Sequence, residues 1–226
     1  VGQHKVTVIP FGINDTVPLS SMLPSEARTA LGVAQDSAVI LFFGQIAPYK
    51  GLEYLIAAMP KVLERVPNVR LVVAGKVKKG HETYWAELRR QIAESGLAER
   101  IIVQARYIED CEVEVYFKAC DVVALPYVDI YQSGVPFLAY AFGCPVVATR
   151  VGSLDEDVVE GATGTTCEPR DPEDLAQALC RWVTSGGVPL TEDRRTSIRH
   201  WAHQRASWSN VAEMTAGVYR AVAGLR

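Results

Sequence analysis

Two loops carry residue types suited to holding an anion. The first runs Gly44-Gln45-Ile46-Ala47-Pro48-Tyr49-Lys50-Gly51. A glycine closes an apolar run, and a Lys-Gly pair opens a helical pattern. Free N–H groups at a helix start, its partial positive charge and a mobile ammonium then meet in one place. Taken alone, Lys50 reads as an ordinary solvated lysine, the usual situation of that residue type. The second loop is Tyr131-Gln132-Ser133-Gly134-Val135, beyond the run ending Leu125-Pro126. Consecutive N–H groups at Ser133 and Gly134 suit a phosphate, and glycine permits close approach. The plainer alternative is a serine N-cap. Two such loops on one sheet support a diphosphate site better than either does alone.

Two weaker candidates follow other apolar runs. Arg106-Tyr107 can pair with phosphate and flank a base, or form a structural surface pair. Gly152-Ser-Leu-Asp-Glu156 offers acids to sugar hydroxyls, or simply places them at a short helix start, where the dipole favours them. Metal chemistry has little to stand on. His200 and His203 are suitably spaced for one helical face but lack further ligands, whereas zinc ordinarily takes three or four from the protein. Cys111, Cys120, Cys144, Cys167 and Cys180 are odd in number, and no pair has a Cys-x-x-Cys spacing. Reduced thiols in a cytoplasmic protein are the simpler reading. No metal and no cofactor are expected.

The elements that must position these loops alternate between strand and helix. Val39–Gly44, Val69–Gly75, Ile101–Ala105, Asp121–Pro126 and Pro145–Thr149 read as buried strands, with a sixth at Thr163–Cys167. Leu52, Leu55, Ile56, Met59, Val62, Leu63 and Val66 form one helical stripe, and Tyr84, Trp85, Leu88 and Ile92 another. Shorter helices are expected over Val113–Ala119 and Gly134–Phe142. Asp171 caps a further one, with Pro172 at its first position. Near-continuous apolar strands between amphipathic helices predict an α/β fold, a doubly wound, Rossmann-like parallel sheet covered on both faces. Such sheets bind ligands at the carboxyl ends of the strands, at the topological switch. Residues 1–186 are expected to form this domain. Residues 187–226 form a C-terminal helical extension, ending in an amphipathic run with Val211, Met214, Val218 and Val222.

Composition narrows the function. A chain of 226 residues can bury a full core without disulfides or metals. Net charge is −3 with no Lys/Arg stripe, so nucleic-acid binding is not expected. The longest apolar runs are too short to span a bilayer, and no signal-peptide pattern is present. The sequence begins without Met on a strand-like segment, which reads as a fragment of something longer.

The ordered motifs resemble the C-terminal domain of family 4 retaining glycosyltransferases of the GT-B type. The matching pieces are Val8-Ile-Pro-Phe-Gly-Ile13, Phe43-Gly-Gln45, Tyr49-Lys-Gly-Leu-Glu-Tyr-Leu-Ile56 and Leu71-Val-Val-Ala-Gly75. Tyr116-Phe-Lys-Ala-Cys-Asp-Val-Val-Ala-Leu-Pro126, Gly143-Cys-Pro-Val-Val-Ala-Thr149, Val151-Gly-Ser-Leu154 and Asp171-Pro-Glu-Asp-Leu175 follow in the family's order. The resemblance implies one half of a GT-B architecture, with a nucleotide-diphosphate sugar as donor substrate. The acceptor, a saccharide or lipid-linked saccharide, would be held by an N-terminal domain absent here. It implies retention, no divalent metal, a role in polysaccharide biosynthesis, and a cytoplasmic location with peripheral membrane attachment as an option. Lys50 would contact the diphosphate. Ser133, Gly134 and Val135 would offer it N–H groups, and Tyr107 would lie beside the base. Gly44, Arg106 and Gln132 belong to the same set. Gln45 stands where the family commonly has Arg.

One departure concerns the carboxylates. The family usually has two glutamates separated by seven residues, contacting donor sugar and ribose, and their positions fall on Ile130 and Leu138. Asp129 is one residue away and serves only after a register shift. A subset of the family carries Gln-Ser-Gly here, as in Gln132-Ser133-Gly134. The missing acids motivate a second reading, a nucleotide-sugar-binding module without catalysis. A sugar-nucleotide epimerase ranks third, because no histidine falls in a strand-end loop to serve proton transfer.

Overall fold

The computed structural model describes residues 6–9, 11–13, 17, 19–183 and 190–224. Six strands form one parallel sheet: β1 (Val39–Phe43), β2 (Arg70–Ala74), β3 (Ile101–Gln104), β4 (Val122–Leu125), β5 (Val146–Thr149) and β6 (Gly164–Cys167). Their spatial order is β3-β2-β1-β4-β5-β6. The chain winds outward from β1 in one direction and then returns to start again at β4. Ile40 pairs with Val122 and Leu41 with Val123 at this reversal. The expected doubly wound sheet is therefore present, with its switch point between β1 and β4.

The strands read as continuous apolar runs because both faces are covered. Ile40 and Phe42 of β1 join the core on one side, beside Leu55, Met59 and Val62 of α2 (Leu52–Arg65). Leu88 and Ile92 of α3 (Glu82–Glu94) and Leu175 and Leu179 of α7 (Pro172–Cys180) complete that side. Val39 and Leu41 face the other layer, built from α4 (Asp110–Ala119) and α5 (Val135–Ala141). Asp171 caps α7 by accepting the Glu173 and Asp174 N–H groups at 2.9 and 3.1 Å. Two short helices, α1 (Pro24–Ala30) and α6 (Leu154–Asp157), complete the body of the domain. A buried ion pair holds α1 in place. Arg28 forks onto both oxygens of Asp121 at 3.0 Å, and Asp121 also accepts the Val39 and Leu190 N–H groups.

The tail divides into two helices with different surroundings. The expected boundary at 186/187 lies outside the described residues. Helix α8 (Glu192–Ala206) is integral to the second layer, burying Arg195, Ile198, Ala202 and Ala206. The Arg195 guanidinium reaches the carbonyls of Phe117, Lys118, Cys120 and Phe142 at 2.6–3.3 Å, satisfying groups where α4 and α5 end. Helix α9 (Trp208–Ala223) buries none of its residues. Trp208, Met214, Tyr219 and Val222 are exposed along it. The N-terminal segment is tied to the α8–α9 junction, where the Ile13 N–H meets the Ala206 carbonyl at 2.7 Å. A Cβ at Gly12 would lie 2.7 Å from the Trp208 ring, so glycine is required for that approach.

Candidate functional site

The loops after β1 and β4 meet at the switch point and line an open cavity of about 440 Å³. Backbone geometry explains why they meet. Gly75, after β2, has φ +146°, and a Cβ there would stand 1.9 Å from the Gly44 carbonyl oxygen. The chain after β1 then pairs with the chain after β2 through the Ile46 N–H on the Lys76 carbonyl. Pro48–Lys50 forms one 3₁₀ turn rather than the first turn of α2. Gly51 caps α2 at φ +64°, and its missing Cβ would stand 1.9 Å from the Pro126 carbonyl oxygen. Only glycine allows that turn to press against the β4 loop. The Val128 N–H on the Tyr49 carbonyl at 2.9 Å fastens the contact.

The reading of Lys50 as a solvated lysine is therefore corrected. Its residue is only 6% exposed, because the 3₁₀ turn aims it across the switch point instead of outward. Burial lowers its pKa from the ordinary 10.5 to about 8. The ammonium donates to the Tyr127 hydroxyl and stands 4.0 Å from the Tyr127 ring centroid. Tyr127, fully buried, also stands 3.4 Å from the Ser133 hydroxyl. Burial pushes the Tyr127 phenol well above its usual range, so it stays neutral. Sequence reasoning missed Tyr127. A tyrosine just after a buried strand and a proline carries no local signal beyond that of a core residue.

Gly44, Gln45, Lys50, Gln132, Ser133, Gly134 and Val135 all line this cavity, and so do Ile130 and Leu138. Two aliphatic side chains thus form part of the wall, and no carboxylate lines it among the described residues. Helix α5 is shorter than the expected Gly134–Phe142, running Val135–Ala141, with Pro136 removing one N–H from its first turn. The Val135 N–H is partly engaged by the Ser133 hydroxyl at 3.3 Å. A Cβ at Gly134 would meet nothing closer than the Phe11 ring at 3.7 Å. The chain itself does not demand glycine there, and the open space faces the cavity.

A second, smaller cavity of about 190 Å³ adjoins the first, sharing Gly44 and Gln45. Phe43, Ile108 and the largely exposed Tyr107 give it apolar walls, with Lys76 beside them. Arg106 lines neither cavity. Its guanidinium is bidentate on Glu112 at 2.6 and 2.7 Å, an exposed ion pair. Asp129 is exposed and also lines neither. Ser153, Glu156 and Asp157 edge a separate cavity that shares Phe11 and Gln132 with the Lys50 cavity. Among the described residues, no group of three or more His, Cys, Asp or Glu side chains is placed to hold a metal ion. None of the described helices is long and apolar enough to cross a membrane.

Fold and cleft together define a Rossmann-like domain with a cationic pocket at its switch point. The family model for group 1 glycosyl transferases matches residues 37–185, and the chain belongs to that family. An uncharacterized glycosyltransferase of Methanocaldococcus jannaschii is 32% identical over 96% of this chain and 54% of its own length. The D-inositol 3-phosphate glycosyltransferase of Corynebacterium urealyticum is 30% identical over 97% of this chain and 52% of its own. Anabaena HepE, solved in complex with UDP-glucose, superposes with a TM-score of 0.77 at 26% identity. That superposition covers 97% of this chain and 57% of HepE. The chain thus spans about half the length of the relatives it matches, corresponding to their C-terminal half, and its structural neighbours are GT-B glycosyltransferases.

Proposed function

We propose that this chain is the donor-binding half of a retaining glycosyltransferase that transfers a hexose from a nucleotide-diphosphate sugar to an acceptor. The observation that carries the reading is the Lys50 ammonium, held against its desolvation cost on the wall of the switch-point cavity. A buried cation that costs stability makes sense where an anion arrives. The diphosphate occupies the cavity between Lys50 and the Ser133–Val135 backbone. The base enters the adjoining cavity beside Tyr107, which shares Gly44 and Gln45 with the first. HepE was solved with UDP and with UDP-glucose, which supports a uridine nucleotide as the first ligand to test.

The chemical demand is to stabilise the departing nucleoside diphosphate. Lys50 meets it as charge builds on the leaving oxygens. Ile130 and Leu138 supply neither nucleophile nor base. A covalent glycosyl-enzyme intermediate therefore has no partner on this wall, and retention proceeds without one from this half. In the two-domain enzyme, Lys50→Ala lowers turnover at least about a hundredfold, the scale for losing one preorganised donor. Turnover within about threefold of wild type on that scale rules the role out. A thermal-shift panel of UDP-, GDP- and ADP-sugars identifies the base, because a ligand specific to the native state raises Tm with its concentration.

The acid-free wall also supports a second reading, a module that binds nucleotide sugar without catalysis. A radiolabelled donor separates the two, since only the enzyme hydrolyses or transfers it. The acceptor, a saccharide or lipid-linked saccharide of polysaccharide biosynthesis, belongs to the other half of the protein. Cytoplasmic residence, with any membrane attachment also through that half, completes the proposal. The apolar stripe of α9 is the natural surface for that half to cover.

A further inference from the structure

Lys50, Tyr127 and Ser133 form a chain of hydrogen bonds across the switch point, and the ammonium fixes the direction of its first link. An ammonium can only donate. The Tyr127 oxygen must therefore accept from Lys50, and its single proton can then go to the Ser133 hydroxyl at 3.4 Å. The Ser133 oxygen also accepts the Val135 N–H at 3.3 Å. With two donors arriving, its own proton is free to point elsewhere. Ser133 and Lys50 both line the cavity, so that proton and the remaining ammonium protons can be offered to the same space.

We propose that Tyr127 is a positioning residue that holds the Lys50 ammonium and turns the Ser133 hydroxyl, so that both present donors to one phosphate group. The proposal rests on the reading of this cavity as a diphosphate site. Tyr127 suits the task because it cannot leave. Its ring is fully buried, and its carbonyl accepts the Thr149 hydroxyl. The next residue is tied to Tyr49 through the Val128 N–H. The phenol also stays neutral, since burial holds its acidity down. Among the described residues, Tyr49 also faces Lys50, its ring centroid 5.8 Å from the ammonium. Lys78 stands 5.2 Å from the same ring, and no carboxylate lines the cavity among the described residues.

The test compares wild type with Tyr127→Phe and with 3-fluorotyrosine placed at position 127 alone. Phenylalanine keeps the ring face for the ammonium and removes the hydroxyl, both the acceptor for Lys50 and the proton for Ser133. Fluorination keeps the hydroxyl and weakens its oxygen as an acceptor. The Lys50 side chain is titrated by NMR without ligand, its signal assigned through Lys50→Arg. In Tyr127→Phe its midpoint falls by about one pH unit, a tenfold loss of proton affinity, and the fluorinated protein shifts the same way. UDP affinity in Tyr127→Phe then drops by one factor at every pH from Ser133 and, following the fraction of charged Lys50, by a further factor of about two at pH 7 and about ten at pH 9. An unmoved midpoint in both variants overturns the proposal, and so does an equal loss of affinity at every pH. If wild type binds no UDP, the donor-site reading fails by itself, and the ligand-free midpoint still decides the role of Tyr127.

Discussion

At pH 7 the Lys50 ammonium is charged and buried, and among the described residues no carboxylate lines its cavity. The folded protein holds its pKa at about 8, against an ordinary 10.5. The penalised form is the cation, so the cost to stability is full below pH 8. It disappears as pH rises to about 10.5, where the unfolded chain also releases its proton. The difference corresponds to roughly 3 kcal/mol. Lys50→Met in the ligand-free protein therefore raises stability at pH 7 by about 1–3 kcal/mol, less whatever the lost contact with Tyr127 contributed. Urea unfolding at pH 7 and pH 10 checks this: the gain must shrink at the higher pH, and a loss at pH 7 contradicts it. If the cavity holds the proposed diphosphate, the same lysine is expected to make ligand affinity fall as pH rises through about 8, the opposite trend to its effect on stability. Residues at this scale were legible by type and not by setting. Lys50 and Ser133 stand out as donors in any reading of the loops, whereas Tyr127 is defined as part of the site only by what packs around it.

At the scale of elements, glycines decide where the loops go. Gly51 holds the 3₁₀ turn against the β4 loop at a positive φ. Gly51→Ala is expected to cost about 3 kcal/mol or more, through the left-handed conformation and the overlap with Pro126. It also moves Lys50 away from Tyr127. Denaturant unfolding measures the first effect and loss of nucleotide affinity the second. Strand and helix patterns predicted all six strands and the helices that cover them, because burial on both faces and amphipathic stripes are local signals. Element ends were less legible. Lys50 reads as the start of α2, yet an intervening 3₁₀ turn and a left-handed cap separate it from the helix. Helix α8 was likewise expected as part of an extension. Arg195 joins it to α4 and α5 through four carbonyls, so Arg195→Ala leaves buried acceptors unpaired at about 1–3 kcal/mol each. Hydrogen exchange across α8 and α9 is expected to rise in that variant before the sheet is affected.

For the whole molecule, the cleft under the proposed function is one wall of a two-domain site. The structure places a cation and backbone donors on that wall, and the relatives it matches are about twice as long. Residues 1–226 alone are expected to bind UDP or a related nucleotide and to transfer no sugar, because transfer requires an acceptor aligned across the cleft. Adding the partner half is expected to restore transfer and to protect Tyr219 and Val222 of α9, now exposed, from hydrogen exchange or surface labelling. Robust transfer by this chain alone contradicts the two-half proposal. The sequence by itself determined the fold class and the family, because alternating buried strands and amphipathic helices, with an ordered set of short motifs, are properties of the chain read in order. It also marked the strand-end loops that hold the site. Tertiary structure alone decided that Lys50 is buried, that Arg106 is bound to Glu112, and that Tyr127 links the two loops. Lys50 and Tyr127 meet across 77 residues of chain, and the Arg106–Glu112 pair depends on how the chain turns from β3 into α4, so burial and pairing could not be read from local pattern.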